Sequence, residues 1–367
     1  MIIDAVELRV LRLPLVTPFR TAQGSQDERI ALLVRVITPD GEGWADCGVS
    51  PEPFYEPEFL AGARAVLAEY LVPLLRAAPE VTAARVQPLL AAVKGQQMAK
   101  AALETAVLDA ELRAAGLSFA RYLGATTDRV PVGVSVGIPG SVPELLDQVT
   151  GYLDQGYRRI KLKIEPGWDT GPVRAVRERF GEDLALQVDA NMAYTLGDAA
   201  RLRALDAFGL LLIEQPLAAD DLLGHADLAR TLATPVCLDE SITSPRLAAA
   251  ALRLGACSVV NIKAARVGGY LAARAIGDLC AASGVPVWCG GLLETGIGRA
   301  ANLALAAGPN FTLPGDISAT GRYFAEDITA PFVLADGQLP VPAGPGTGVE
   351  VLPDVLARLT IEQELLR

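Results

Sequence analysis

The feature that most constrains this sequence is a set of charged residues that recur at nearly constant spacing, each at the end of an apolar run. They are separated by 26, 25, 25 and 24 positions, and they are Lys163, Asp189, Glu214, Asp239 and Lys263. A step of this length fits one β-strand followed by one helix, so each charge falls at the carboxyl end of a strand. In a β/α barrel these ends form the active-site face. One such charge is common where a strand reaches solvent, but five in register predict a functional site.

Apolar, strand-like runs alternate with helix-like segments from about residue 130 onwards. We predict strands at 130–138, 158–164, 184–190, 210–216, 236–240, 258–263, 285–290 and 310–314. Two helix starts are marked by capping patterns, Ser141 with Glu144 and Ser244 followed by Pro245. Eight strands joined by helices require parallel pairing with right-handed crossovers, and a closed barrel explains that number better than an open sheet.

The residues before this repeat have a different pattern. Strand-like runs at 2–15 and 28–47, with a turn at 39–41, precede a segment of helical periodicity at 97–115. We therefore predict an α/β fold, a (β/α)7β TIM-like barrel with an α+β capping domain formed by the N-terminal region and the C-terminal segment. The predicted division is a capping domain with a substrate lid loop at 1–125, the barrel at 126–325, and a returning C-terminal segment at 326–367.

Composition limits the partners of the chain. Hydrophobic residues make up 51% of it, but no stretch approaches the about 20 apolar residues that a membrane span needs. The formal charge of −11 argues against a nucleic-acid partner. Five cysteines without a Cys-x-x-Cys pair favour buried, reduced thiols, and we expect a cytoplasmic protein with a small-molecule carboxylate substrate. We also expect a homo-oligomer.

The charged residues suggest a metal-assisted reaction. Three inward carboxylates without a counterion would repel one another, so Asp189, Glu214 and Asp239 predict a hard divalent cation, Mg²⁺ or alternatively Mn²⁺ or another metal. Lys163 and Lys263 would then flank the metal from opposite sides of the barrel. Lys161 points into the barrel with Lys163, because they are two residues apart on one strand. A neighbouring ammonium and a cation would lower the pKa of Lys163 towards that of a base, with Lys161 holding a substrate carboxylate.

Several motifs resemble those of one known group of enzymes. They are Lys161-Leu-Lys163, Val-Asp189-Ala-Asn191, Ile-Glu214-Gln-Pro, Leu-Asp239-Glu240-Ser and Asn261-Ile-Lys263. These resemble the muconate-lactonising subgroup of the enolase superfamily over nearly the whole chain. Within that subgroup, Ser135 in Gly-Val-Ser-Val-Gly, Arg266-Val-Gly-Gly, the segment Trp288–Gly296 and the lid-like loop 14–21 resemble the o-succinylbenzoate synthase / N-succinylamino acid racemase family.

The resemblance implies roles for individual residues. Asp189, Glu214 and Asp239 would be metal ligands, and Lys163 and Lys263 would be catalytic bases. Residues expected to contact or border the substrate are Lys161, Ser135, Asn191, Gly291, Leu293, Phe19 and Arg266. Arg266 was open to two interpretations, a surface residue after a strand or a residue that tunes Lys263.

The reaction implied is abstraction of a proton α to a carboxylate through an enediolate. It would serve o-succinylbenzoate synthesis, a dehydration in menaquinone biosynthesis, or racemisation of N-succinylamino (N-acylamino) acids, or both. A dipeptide epimerase, a muconate cycloisomerase and a barrel that only binds an acidic metabolite are the alternatives. Asp46, where relatives more often carry Glu, and Ser50, where they often carry a larger apolar residue, make the substrate less defined than the chemistry.

Two further signals were weighed. Gly133-Val-Ser135-Val-Gly137 matches the nucleophile elbow of serine hydrolases, but the alternation from Val130 to Ile138 predicts an uninterrupted strand, not the sharp turn that the elbow needs. The single histidine, His225, is expected on a helix surface. No histidine ends the seventh strand, which argues against the mandelate-racemase subgroup.

Overall fold

Two separate sheets organise the chain, and the computed structural model describes every residue from Met1 to Arg367. The N-terminal strands are β1 (Ala5–Thr21), β2 (Gly24–Thr38) and β3 (Gly41–Cys47). They are followed by the helices α1 (Leu60–Val66), α2 (Val72–Arg76), α3 (Ala83–Leu89), α4 (Gln97–Ala115) and α5 (Phe119–Leu123), with a π-helical turn at Leu67–Leu71. The turn at 39–41 and the helix at 97–115 lie where the sequence predicts them.

Close packing joins this sheet to its longest helix. Gly43 in β3 lies against α4 so tightly that a Cβ there would be 2.0 Å from the carbonyl oxygen of Ala106. Most residues of α4 are buried as a result, including polar ones such as Glu104 and Asp109. Any larger residue at position 43 would push the sheet and the helix apart.

The second sheet is parallel and curled, with seven strands in sequential order from β5 to β11. The strands from here on are β4 (Arg129–Pro131), β5 (Val134–Val136), β6 (Arg159–Lys163), β7 (Ala185–Asp189), β8 (Ile213–Glu214), β9 (Val236–Leu238), β10 (Val259–Ile262) and β11 (Val287–Cys289). The helices between and after them are α6 (Val142–Asp154), α7 (Thr170–Phe180), α8 (Ala199–Arg203), α9 (Leu222–Ala229), α10 (Pro245–Leu254), α11 (Ala264–Val267), α12 (Tyr270–Ala282) and α13 (Gly296–Ala306). Short 3-10 turns occupy Leu196–Asp198, Ala204–Phe208 and Thr320–Arg322.

The register of the parallel sheet brings the charged strand ends together. Lys163 pairs with Asp189, and Asp189 pairs with Glu214, on adjacent strands. The alternation of strands and helices predicted from the sequence is confirmed for these seven strands.

The prediction of a regular eighth strand at 310–314 is wrong. The segment 311–316 makes only isolated bridges, because Pro314 has no N–H to donate to a ladder. It nevertheless bonds to both edges of the sheet. The Gly133 N–H donates to the Gly315 carbonyl at 2.8 Å, and the Asp316 N–H donates to the Cys289 carbonyl at 3.0 Å.

The predicted continuous strand at 130–138 is also wrong, since β4 and β5 are separate. Val132 makes only an isolated bridge and Gly133 belongs to no strand. The guanidinium of Arg159 occupies the space beside the glycine, and a Cβ at Gly133 would lie 2.2 Å from it. Ser135 still lies inside a strand, so it does not occupy the sharp turn that the nucleophile elbow of a serine hydrolase needs.

The C-terminal segment adds strands to earlier parts of the chain. These elements are β12 (Gln338–Pro340), α14 (Pro353–Leu359) and β13 (Thr360–Leu366). β12 pairs with β4, and β13 pairs antiparallel with β1, so the N-terminal sheet has the order β13-β1-β2-β3.

The lid segment is not the irregular loop that its sequence predicts. β1 and β2 continue past a register shift as a hairpin, with Phe19 opposite Gln26 and Thr21 opposite Gly24. Cross-strand hydrogen bonds stabilise this conformation although the residues lack an alternating apolar pattern. We refer to residues 14–28 as the hairpin tip.

The two predicted helix caps and the predicted position of His225 compare differently with the structure. Ser244 caps α10, with its hydroxyl accepting the Leu247 N–H, as predicted. The capping box at α6 is only half formed: the Ser141 hydroxyl accepts the Glu144 N–H, but Glu144 accepts the N–H of Gly140. The surface position predicted for His225 is wrong, because the ring is buried and its Nε2 accepts the Leu217 N–H at 3.2 Å.

All five cysteines are free and buried, as predicted. None of the helices combines the length and apolar character that crossing a membrane requires.

Candidate active site

A cavity of about 580 Å³ lies between the carboxyl ends of the parallel strands and the N-terminal region. Eight of the predicted site residues line it: Phe19, Ser135, Lys161, Lys163, Asn191, Lys263, Gly291 and Leu293. The three predicted metal ligands are buried and contact the lysines. Arg266, predicted to contact substrate, does not line the cavity.

Lys163 is fixed at the end of β6 by two acceptors. Its Nζ donates to Asp189 Oδ2 at 2.6 Å and to Asn191 Oδ1 at 2.7 Å. The Asn191 side chain is itself oriented, since its Nδ2 donates to Glu240 Oε1 at 2.9 Å. The ammonium group thus lies in a defined position at the wall of the cavity.

Lys161 lies deeper and is surrounded by acidic groups. Its Nζ contacts Glu214 Oε2 at 2.7 Å, Asp189 Oδ2 at 3.0 Å and the carboxylate of Asp316. Burial disfavours its charge, but these carboxylates outweigh burial and raise the pKa of Lys161 well above its usual value. The Trp288 ring, whose centroid is 4.9 Å from Nζ, adds a cation–π contact. These contacts favour the charged form of Lys161.

Lys263 lies just beyond β10 and faces the cavity from the opposite end of the parallel sheet. Its Nζ donates to Asp239 Oδ2 at 2.8 Å and to the Tyr55 hydroxyl at 3.2 Å. Burial lowers the pKa of Lys263, Asp239 raises it and Arg266 lowers it, and the net direction is upward. The charge on Lys263 thus depends on the hydrogen bonding of Asp239.

Arg266 is buried beside this lysine, so its interpretation as a surface residue is wrong. Its guanidinium pairs with the carboxylates of Asp239 and Glu56, and its Nη2 donates to the Tyr55 hydroxyl at 3.1 Å. The structure supports the other interpretation, in which Arg266 acts on Lys263 through charge and through their shared partner Asp239.

The three acidic strand ends suit a hard divalent cation in their chemistry. All supply oxygen donors, and all are essentially inaccessible to solvent. Burial and the neighbouring Asp189 charge raise the pKa of Glu214 well above its usual value, a repulsion that a cation would relieve. For Asp189, burial opposes ionisation, but Lys163 and Lys161 outweigh it and lower the pKa.

The carboxylates nevertheless do not form a convergent ligand cluster in this structure. Each is engaged by a basic side chain or amide, as when Asn261 Nδ2 donates to Glu214 Oε1 at 2.7 Å. Metal coordination would require their oxygens to leave these partners.

Unusual backbone conformations follow three of the strands. Asn191, Gln215 and Leu293 have positive φ angles of 40°, 36° and 58°. Non-glycine residues reach this region at a cost of roughly 1–3 kcal/mol each, and persist there only when surrounding contacts hold them. Gln215 is held in this way: its Oε1 accepts the N–H of Asp239 at 2.9 Å, which fixes the backbone of one candidate ligand relative to another.

Ser135 and Gly291 form part of the cavity wall. The Ser135 hydroxyl is buried without a hydrogen-bond partner, so it is available to a ligand. A Cβ at Gly291 would lie 2.8 Å from the Asp316 carbonyl oxygen, so only glycine lets the two segments approach.

Several residues of the site were not predicted. Asp316 follows the irregular eighth segment, and a search for an acid after every apolar run would have found it. Tyr55 and Glu56 lie in a Pro-rich loop with no periodic signal, so only the three-dimensional structure places them beside Arg266.

Comparison with known proteins gives matches along most of the chain. Residues 5–124 match the mandelate racemase / muconate lactonizing enzyme N-terminal domain, and residues 144–355 match the enolase C-terminal domain-like family. The chain is 63% identical to an N-succinylamino acid racemase from an Amycolatopsis species, over 98% of this chain and 97% of that protein. It is 48% identical to an o-succinylbenzoate synthase from Geobacillus kaustophilus, over 95% and 93%.

A crystal structure of an enolase-superfamily member from Listeria innocua is similar throughout. Its TM-score is 0.95, with 41% sequence identity over 100% of this chain and 99% of the other. The fold is therefore shared with an experimentally determined structure.

Proposed function

Since the chain belongs to the mandelate racemase / muconate lactonizing enzyme family of the enolase superfamily, we propose that it removes the proton α to a substrate carboxylate. The product is o-succinylbenzoate by dehydration, a racemised N-succinylamino acid, or both by one enzyme, as the names of its relatives suggest. The observation that carries the proposal is the pair of lysines, Lys163 at the end of β6 and Lys263 just beyond β10, which line one cavity.

The first part of the mechanism is proton abstraction by one of these lysines. A lysine acts as a base only when neutral, and Asp239 now raises the pKa of Lys263. If Asp239 turns its oxygens to another partner, Lys263 loses the acceptor that favours its charge, while Arg266 continues to lower its pKa. The α-carbon of the substrate then lies between the lysine bases, and the negative charge moves onto the carboxylate as an enediolate.

The second part distinguishes the two reactions. Racemisation needs the opposite lysine to return a proton to the other face of the carbon. Dehydration needs one base only: the lysine that takes the α-proton returns it to the departing hydroxyl, the C–O bond breaks and water leaves, while the other lysine serves as a nearby cation. A divalent cation, Mg²⁺ or Mn²⁺, held by Asp189, Glu214 and Asp239 would stabilise the developing negative charge.

The remaining site residues bind and enclose the substrate in this proposal. Lys161 attracts the reacting carboxylate, the Ser135 hydroxyl donates to a substrate oxygen, and Asn191 orients Lys163 beside it. Gly291, Leu293 and Phe19 shape the walls. The exclusion of water by the hairpin tip is supported by its contacts with the barrel side, Gln23 Nε2 to the Asn191 carbonyl at 2.5 Å and Arg20 to Glu165 at 2.7 Å.

The proposal includes a closed (β/α)7β barrel and the domain division at 1–125, 126–325 and 326–367. Backbone bonds from residues 311–316 to both edge strands support closure. Pairing of β13 with β1 supports the return of the C-terminal segment to the capping domain. A cytoplasmic location is supported by the five free thiols.

A paired assay tests the function. The purified protein with Mg²⁺ is given, in separate reactions, the cyclohexadiene-carboxylate precursor of o-succinylbenzoate and a series of N-succinylamino acids. Turnover of either substrate class, abolished in a Lys163→Ala/Lys263→Ala double variant of unchanged Tm, supports the proposal. Absence of both turnover and α-proton exchange with every substrate would overturn it.

A further inference from the structure

The N-terminal side of the cavity contains one positively charged residue. We call the lining residues that precede position 60 the N-terminal wall; among them only Arg29 is basic, while Asp27, Glu28 and Glu52 are acidic. The opposite wall carries Lys161, Lys163 and Lys263. The cavity therefore has cations on two sides, and on the N-terminal side the only one is Arg29, among three acidic residues.

Arg29 is unusual because it is buried without an acceptor. The residue is 3% exposed, and its Nε and Nη2 atoms are enclosed without any hydrogen-bond partner. A buried guanidinium left unpaired is costly, and it normally binds a carboxylate or a carbonyl group. Its planar fork of donors matches a carboxylate in geometry.

The nearest acid does not occupy these donors. Asp46 is buried, and burial raises its pKa to about 6 although the Arg29 charge lowers it. Its Oδ2 accepts the Thr295 N–H at 2.7 Å, and its Oδ1 has no partner. Asp46 thus offsets part of the Arg29 charge but leaves the guanidinium hydrogens free for a ligand in the cavity.

We propose that Arg29 binds a second carboxylate of the substrate, at the N-terminal wall, and so selects dicarboxylates over ligands with a neutral tail. The inference rests on the proposed function in one respect only. It takes the first carboxylate, which is held at the lysine side, to be the one beside the reacting carbon. A succinyl group carries such a second carboxylate. Arg29 is then a specificity-determining residue that takes no part in the proton transfers.

The test measures binding as well as turnover. Isothermal titration calorimetry with Mg²⁺ present compares N-succinylvaline with its terminal amide, N-succinamoylvaline, on the parent protein, Arg29→Met and Arg29→Lys. We expect the parent to prefer the carboxylate, and Arg29→Met to weaken its binding by about 10- to 100-fold. The amide should bind Arg29→Met within about 3-fold of the parent, and Arg29→Lys should keep part of the preference.

The readout is the preference ratio, which a general loss of packing would not change selectively. Equal binding of both ligands to the parent would overturn the inference, and so would an unchanged preference in Arg29→Met. If Arg29→Met does not fold, the Arg29→Lys variant is the test, because lysine keeps the charge but lacks the planar fork of donors. A preference for the carboxylate ligand as strong as that of the parent would then contradict the inference. Turnover in the same samples tests the proposed function separately, so the two can fail independently.

Discussion

Lys263 and Arg266 show how closely two cations can be placed when a carboxylate lies between them. Asp239 accepts from Lys263 through Oδ2 and pairs with Arg266 through Oδ1. Removing either cation would leave a buried carboxylate partly unpaired, which is costly. Through the same contacts we expect Arg266 to influence Lys263 although it does not itself line the cavity.

The opposed lysines give the first prediction. Lys163→Ala and Lys263→Ala should each lose racemisation of N-succinylamino acids by at least about 100-fold, because each removes one of two required bases. In D₂O each variant should still exchange the α-proton of one enantiomer, and the two variants should prefer opposite enantiomers. Proton NMR of separate enantiomers measures this. The assignment is wrong if both variants exchange the same enantiomer.

Residues at the carboxyl ends of the parallel strands were predictable, and residues elsewhere, in loops or within β2, were not. Lys163, Asp189, Glu214, Asp239 and Lys263 follow apolar runs, so one spacing rule found them. Arg29 ends no such run, and nothing in the sequence shows that its guanidinium lacks an acceptor. That property depends on Asp46 and on the packing of two sheets.

At the scale of elements, the hairpin tip lines one side of the cavity, and we expect it to influence which substrates are accepted. Phe19 lies edge-on to Tyr323, with ring centroids 5.9 Å apart, and also lines the cavity. The sequence analysis missed the hairpin conformation of this segment, because strand pairing can override a weak local pattern.

Phe19→Ala gives the second prediction. Loss of the ring should change the ratio of kcat/KM values between N-succinylamino acids with large and small side chains by about 10-fold. Phe19→Leu, which keeps most of the apolar volume, is the control and should change the ratio less. Steady-state kinetics with both substrates and a thermal melt of each variant are the measurements. An unchanged ratio in Phe19→Ala would show that the ring does not contact substrate.

A buried acid in α4 gives the third prediction. Burial raises the pKa of Glu104 to about 7, while its carboxylate accepts the Leu271 N–H at the start of α12. Between its usual value near 4.5 and about 7, the folded protein holds a proton that the unfolded chain has lost. Stability should therefore fall as the pH rises through this range.

Glu104→Gln cannot titrate and should remove this part of the pH dependence. We expect the decrease in Tm between pH 5 and pH 8 to be smaller in the variant than in the parent, measured by scanning calorimetry in matched buffers. Arg85→Gln, an exposed change, is the control. Equal decreases in the variant and the parent would mean that Glu104 does not hold the extra proton.

For the whole molecule, a cation at the strand ends would join contributions from β7, β8 and β9. Mg²⁺ that binds only the folded state should raise Tm, and the increase should grow with metal concentration. The increase should be smaller at low pH, because the carboxylate ligands must be ionised to bind the metal. This is the fourth prediction, and differential scanning fluorimetry measures it without reference to activity.

Asp239→Asn is the matched variant for this experiment. It should lose most of the Mg²⁺-dependent increase in Tm, and EDTA should abolish turnover of the parent. Full activity after exhaustive EDTA treatment, or an equal Mg²⁺ effect in Asp239→Asn, would contradict the ligand assignment. The homo-oligomer also stays a prediction, which light scattering of the purified protein can check.

The order of the parallel strands could be predicted because each βα unit repeats one pattern and crossovers have one hand. The internal packing of the N-terminal sheet could not, because it depends on close contacts such as Gly43 against Ala106 and on the register of strand pairs far apart in sequence. β13 and β1 are one example, with Val6 opposite Leu366.

The two walls of the cavity belong to different sheets, and this has a consequence for how such proteins diverge. A substitution in the hairpin tip or at Arg29 leaves the lysines and their carboxylates in place. New substrates can therefore be acquired by drift in the N-terminal sheet while the parallel sheet preserves an ancestral reaction. A laboratory library confined to residues 14–30 and 50–54, which spares Tyr55 beside Lys263, would search for specificity with little risk of losing the chemistry.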